Sequence, residues 1–154
     1  MFNVGYFPGG EEFLADVKPL WEQTRDFHSD VSLYFSSKFG QQNFNARKAG
    51  LQEKSLQGKI RIILAKDLDC DKYIGYCVSI IDREDIGEID SLFVEPFYRK
   101  NGIAENLMKM ALNWMDEECV KTKKLSIAVG NESVLEFYKK FNFYPYQIIL
   151  EKKD

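Results

Sequence analysis

The sequence predicts one α/β (or α+β) domain built on a mixed, mostly antiparallel central sheet flanked by helices. Two observations carry this. Apolar residues alternate in runs between Lys59 and Val94 that are separated by short polar turns. From Gly102 the period changes from 2 to 3.6, and a further alternating run follows at Leu125, Ile127 and Val129. A meander followed by strand, crossover helix and strand calls for a parallel pair beside antiparallel ones. The 154 residues suit a single domain, 1–154, long enough to bury one core.

Taken in order, Asn3–Phe7 reads as a short strand ended by Pro8-Gly9-Gly10. Glu11–His28 reads as a helix with apolar positions at Leu14, Val17, Trp21 and Phe27, and Pro19 inside it predicts a kink or a split. Ser29–Gly40 is aromatic and irregular, and Phe44–Leu56 is a second, weaker helix. Lys59–Lys66, Tyr73–Ile81 and Gly87–Val94 are strands, joined by turns at Asp67–Asp71 and Asp82–Asp85. Between Gly102 and Cys119, Glu105, Lys109, Asn113 and Asp116 form one polar stripe on an otherwise apolar helix that should pack broadly on the sheet. A strand through Leu125, Ile127 and Val129, a short helix Glu132–Lys140 and a last strand Phe143–Lys152 complete the order.

Composition narrows the function. Hydrophobic residues make up 45% and charged residues 29%, ordinary for a globular protein. A net charge of −3 offers no electrostatic footprint for a nucleic-acid partner. Cys70, Cys77 and Cys119 are widely spaced with no CxxC pair, so neither zinc nor another metal is expected. An odd cysteine count without a secretory signal points to the reducing cytoplasm. No apolar run approaches the ~18 residues of a membrane span.

The stretch VEPFYRKNGIAENLM, Val94–Met108, places Arg99-Lys100-Asn101-Gly102-Ile103-Ala104 between a strand and the start of the long helix. A helix N-terminus presents unpaired N–H groups and partial positive charge, which suits an anion. Gly102 and the small Ala104 would let a phosphate approach the backbone, Arg99 and Lys100 add countercharge, and Pro96 helps to stop the strand. Spacing alone reads equally well as a polar loop with a helix-starting Gly. The loop lacks the GKS or GKT of a Walker motif and the glycines of a dinucleotide fingerprint.

IDSLFVEPFYRKNGIAENLM resembles motif A of the GNAT superfamily of N-acetyltransferases, through Leu92, Val94, Pro96, Arg99, Gly102 and Ala104. NESVLEFYKKFNF resembles its motif B, through Asn131, Phe137, Tyr138 and Phe143. Asn142 stands where that motif usually has Gly, and Asn is well able to take the left-handed backbone required there. The resemblance implies that the Arg99–Ala104 loop holds the pyrophosphate of acetyl-CoA as co-substrate. It implies that the strand before the loop splays from its parallel neighbour, with the pantetheine arm in the gap. Leu92, Phe93 and Val94 should then contact that arm, one N–H there polarising the acetyl carbonyl. Asn131 should bind the arm from the other side, and Tyr138 should lie near the thioester sulfur. Family members are often dimers, which puts a homodimer among the expectations.

The reaction so implied is attack of an amine on a thioester. Deprotonating an alkylamine at neutral pH costs about 4–5 kcal/mol, and a carboxylate acting through water could remove the proton. Glu88 and Asp90 share a face of the strand leading to the cofactor, although solvated charges near a sheet end would look the same. Tyr138, protonated at neutral pH, can donate to the leaving thiolate; a lone Tyr here would read as a core residue, but Asn131 and Phe137 in register favour the functional role. The acceptor, a small-molecule or peptide amine, would meet the region of the first two helices, where Trp21, His28 and Phe35 are candidate contacts; aromatic residues there serve equally as core, and His28 as a packing or capping residue. The competing function is a non-catalytic acyl-CoA-binding sensor with the same fold.

Overall fold

In the computed structural model, which describes all 154 residues, five strands form one sheet in the order β1-β2-β3-β4-β5. They are β1 (Val4–Gly9), β2 (Lys59–Asp67), β3 (Lys72–Ile81), β4 (Ile86–Val94) and β5 (Thr122–Leu125). The first four are antiparallel neighbours, and β5 runs parallel to β4. The meander turns where aspartates supply the turn chemistry. Asp67 accepts the Asp69 N–H at 3.0 Å, Asp82 accepts from Glu84 and Ile86 at 2.9 and 3.0 Å, and Asp71 and Asp85 take left-handed backbones.

Five helices pack on the two faces: α1 (Leu14–Val31), α2 (Ser36–Gly40), α3 (Phe44–Gln57), α4 (Ile103–Glu117) and α5 (Leu135–Lys139). One core lies between the sheet and α4, joining Ile63, Cys77, Ile89 and Val94 to Leu107, Met108, Ala111 and Met115. The other lies under α1 and α3, where Leu14, Val17, Trp21 and Leu51 meet Ile62, Tyr76, Val78 and Phe93. The Asn43 side chain caps α3 by accepting the Ala46 N–H at 2.9 Å.

Four sequence expectations need correction. Helix α1 runs unbroken through Pro19, after a 3-10 turn at Glu11–Phe13. Pro19 lies on the exposed side, so the carbonyl it leaves unpaired can reach water. The stretch expected to be irregular contains the end of α1 and all of α2. The fifth strand stops at Leu125, which leaves Ile127 and Val129 outside the ladder. Finally, Phe143–Lys152 forms no strand: no backbone hydrogen bond reaches residues 144–154, and all of them are exposed. Alternation marks a run that can pair, but a ladder also needs a free edge in register.

Candidate active site

Strand β4 carries an irregularity that organises the site. Val78 opposes Ser91 and Ser79 opposes Ile89, so Asp90 is an extra residue, a β-bulge. Glu88 opposes Ile80 on the α1/α3 face, and the bulge puts both Asp90 and Ser91 on that same face. Beyond it Leu92 and Val94 turn to the α4 face and Phe93 to the α1/α3 face.

The parallel pairing of β4 with β5 ends at Ile89–Leu125. From there β4 continues for another turn of the pleat while residues 126–129 leave it, which opens the expected gap. The Glu95 N–H donates to Ile74 C=O at 2.9 Å. With the alternation of an antiparallel ladder, this directs the Phe93 backbone at β3 and the Leu92 N–H and C=O toward the gap.

Past the gap, Gly102 caps α4 with a left-handed backbone, φ +77°, and no atom lies within 4 Å of where a Cβ would stand. The backbone N–H groups from Lys100 to Glu105 have no acceptor within the protein. The loop is braced from below. Asn101 Nδ2 donates to Tyr98 and Arg99 carbonyls at 3.0 and 2.9 Å, and Arg99 Nε donates to Val94 C=O at 2.8 Å. The Arg99 guanidinium also lies 5.4 Å from the Phe93 ring centre, so Arg99 ties the loop to the end of β4 as well as bringing charge. Lys100 has no carboxylate partner. Unpaired N–H groups around an open Gly, with a free cation beside them, fit a pyrophosphate.

Across the gap, Gly130 (φ +104°) passes so close to α1 that a Cβ would strike the Val31 carbonyl. Asn131 follows, its N–H bonded to Ala128 C=O at 3.0 Å and its side chain without a protein partner. Tyr138 packs edge-on against Phe137 and Phe143, with ring centres 5.1 and 6.5 Å away, in the cluster that contains Leu92. Burial raises its phenol well above the ordinary range, and the neighbouring Cys77 thiol adds to this. Cys77, opposite Leu92, is itself pushed up to about 12 by burial, so it is a neutral thiol. Asn142 closes the helix with φ +65°, the left-handed residue expected there.

The two carboxylates differ in surroundings. Asp90, its side chain 4% exposed, is ion-paired with Arg47 of α3 and lies 3.6 Å from Lys54 Nζ. Glu88 is 29% exposed and has only Lys124 Nζ, at 4.0 Å. Beside them, Thr24 Oγ1 donates to Leu20 C=O at 3.1 Å. With one proton per hydroxyl, Tyr76 must then donate to Thr24 at 3.2 Å and Ser91 to Tyr76 at 2.6 Å. Arg47, Lys54 and Ser91 were not singled out by the sequence reading. The available signal was the i, i+7 spacing of Arg47 and Lys54, which puts both cations on one face of α3.

The acceptor-side candidates separate. Trp21 is 6% exposed and packs 5.5 Å from Phe44, inside the core. His28 lies near the end of α1 between Phe27 and Phe39, and burial lowers its pKa. Phe35 stands just before α2 as its N-cap residue, its N–H bonded to Ser32 Oγ at 3.0 Å.

The structure thus brings together a bulged strand, a parallel pair that parts after Ile89–Leu125, and a helix start with unpaired N–H groups. The profile of the Acetyltransferase (GNAT) family matches residues 21–143, and the chain belongs to that family. Its curated relatives include an uncharacterized N-acetyltransferase of Methanocaldococcus jannaschii, 28% identical over 72 residues, 47% of this chain and 32% of that protein. Another, from Archaeoglobus fulgidus, is 38% identical over 60 residues, 39% of this chain and 41% of that protein. The chain thus matches about a third to two fifths of these relatives' length. Among solved structures, an aminoglycoside N-acetyltransferase in complex with CoA superposes with a TM-score of 0.71 at 15% identity, covering 100% of this chain and 96% of that one. A GNAT-family acetyltransferase from Staphylococcus aureus superposes with a TM-score of 0.74 at 12% identity, covering 94% and 87%. At these identities the likeness is one of fold.

Proposed function

We propose that the chain is an N-acetyltransferase that moves the acetyl group of acetyl-CoA to a primary amine of a small molecule or peptide, in a ternary complex. The observation that carries this is the run of unpaired N–H groups from Lys100 to Glu105 around the open Gly102, at the end of a gap between β4 and residues 126–129. The pyrophosphate sits on those donors with Lys100 beside it, and Arg99 and Asn101 hold the loop in shape. The pantetheine arm lies in the gap between Leu92–Val94 and Asn131.

The gap joins the two faces of the sheet, and the chemistry divides between them. On the α1/α3 face Glu88 takes a proton from the amine through a water, while Ser91, its own proton committed to Tyr76, can only accept from the amine. The amine nitrogen bonds to the thioester carbonyl carbon, and the Leu92 N–H stabilises the developing oxyanion. As the C–S bond breaks, the sulfur takes the proton of Tyr138, which burial keeps protonated. Asp90 stays paired with Arg47 and shapes the site. His28 and Phe35 border the acceptor, while Trp21 packs on Phe44 in the core. Three free thiols, two of them exposed, fit a reducing compartment such as the cytoplasm.

Calorimetry with CoA tests the cradle. Wild type should bind, and Gly102→Glu, which puts a carboxylate into the open space, should lose at least ~100-fold in affinity while remaining folded. Thiol release with polyamine, aminoglycoside, amino-acid and peptide acceptors then reads the acceptor. A folded wild type that binds no CoA would overturn the proposal.

A further inference from the structure

The α1/α3 face of β4 holds more positive charge than its carboxylates use. Arg47 and Lys54 of α3 converge on Asp90, and Lys124 of β5 stands beside Glu88, its register partner in the parallel pair. These ion pairs join three cations to two carboxylates, so one positive charge is left over. None of the three cations is saturated. Arg47 bonds Asp90 through Nη2 alone. Its Nη1 meets no protein acceptor and is open to solvent, since Nε is the only unpartnered side-chain nitrogen that is buried. Lys54 Nζ lies 3.6 Å from Asp90, longer than a direct hydrogen bond, and its side chain is 48% exposed. Lys124 Nζ lies 4.0 Å from Glu88 and is more exposed still.

The placement of these groups matters as much as their charge. Ser91 Oγ can only accept a hydrogen bond, because its proton goes to Tyr76, and so it suits the N–H of an amine. Asp90 and Ser91 are consecutive, and the bulge turns both to this face. An amine on Ser91 and the donors gathered over Asp90 are therefore separated by roughly one residue step, ~4 Å along the strand. An amino acid separates its ammonium from its carboxylate on that scale. A polyamine would instead bring further positive charge against three cations with donors to spare.

We propose that the acceptor is a small amine that also carries a carboxylate, a free amino acid or a close analogue, with its amine on Ser91 and its carboxylate on Arg47 Nη1 and Lys54 Nζ. This rests on the acetyl-transfer reading above and narrows the acceptor from amines in general to carboxylate-bearing ones. The substrate carboxylate supplies the missing negative charge and fills the free donors with charge-assisted hydrogen bonds. The same cations disfavour an ammonium beside them, which helps the amine give its proton to Glu88. Lys124 adds to that field from the β5 side.

Thiol release by the full chain with acetyl-CoA tests this on matched acceptors: L-amino acids, the corresponding amino-acid amides, a short peptide amide and spermidine. At least one amino acid should react with a kcat/KM ~10-fold or more above that of its own amide. This should hold although the amine of the amide is less basic and more often unprotonated at neutral pH. Lys54→Gln should raise KM for that amino acid ~10-fold with a smaller effect on kcat, and bring the acid-to-amide ratio toward one. Lys54→Arg, which keeps the charge, should restore most of the preference. Circular dichroism checks that both variants fold, as the half-exposed side chain leads one to expect. Equal or faster transfer to the amides or to spermidine would overturn the inference and leave the acetyl-transfer reading standing. A preference for the amino acid that Lys54→Gln leaves unchanged would also overturn it. No transfer to any of these acceptors by a chain that binds CoA would overturn both.

Discussion

Arg47 of α3 holds the carboxylate of Asp90, the extra residue of the β4 bulge, in an ion pair that Lys54 supports from 3.6 Å. Asp90 is almost wholly buried, while the Arg47 side chain is 31% exposed, and burial lowers the Arg47 pKa. The Arg47 Nε is buried without a partner, so the pair is not fully compensated. Its role is to keep a carboxylate in place under the sheet, where it would otherwise be expelled.

Arg47→Ala should therefore destabilise the fold by about 2–3 kcal/mol, below the ~3–5 of a fully buried pair because Lys54 remains. Arg47→Met combined with Asp90→Leu should recover much of that loss, since no lone charge is left. Urea unfolding measures both. A single-variant cost under ~0.5 kcal/mol, the scale of an exposed pair, would mean that the bulge does not depend on Arg47.

On the proposed mechanism, the unequal surroundings of Glu88 and Asp90 give Glu88 the proton transfer and Asp90 a structural part. Glu88→Gln should lower kcat by ~100-fold, with the unfolding midpoint unchanged. Asp90→Asn should act mainly on stability. Initial rates beside urea curves distinguish the two, and equal rate losses with no stability change would reverse the assignment.

Tyr138→Phe should cut kcat by ~10- to 100-fold and leave the CoA dissociation constant at its wild-type value. The sign of the pKa shift adds a condition. Burial raises the phenol, so its proton is present through neutral pH and past the ordinary value of ~10, and wild-type activity should show no alkaline loss from Tyr138 below that. Full activity in the Phe variant would mean that solvent protonates the leaving thiolate. Absence of any acetyl transfer by wild type, with CoA bound, would favour a sensor.

Asn142→Gly should be neutral or slightly stabilising, whereas Asn142→Ala should cost about 1 kcal/mol, because its φ of +65° forces Cβ toward the carbonyl. Gly102→Ala should cost a similar amount for the same reason alone, since the space around its Cβ is open. Thermal unfolding of the three variants reads this directly.

Much of the fold was legible in the residues. The period-2 runs located β2, β3 and β4, and the switch to 3.6 located α4, because one buried face imposes each period on its element. The start of α4 was legible because a left-handed cap leaves few choices but Gly, and Asn142 declared its turn by the same restriction. Glu88 and Asp90 share a face as strand alternation predicts, but the bulge at Asp90 moves Leu92 and Val94 to the opposite face, and no local pattern announces a bulge.

By itself, then, the sequence determined β2, β3, β4, α4 and the glycine that caps α4, because these depend on short-range periodicity and on single-residue backbone limits. Only the tertiary structure decided where β5 parts from β4, which carboxylate Arg47 claims, and that Phe143–Lys152 finds no edge in its own chain. Those outcomes depend on contacts between distant parts of the chain. Burial and pairing are settled there by what else competes for the same surface, and the residues of one segment cannot specify that alone.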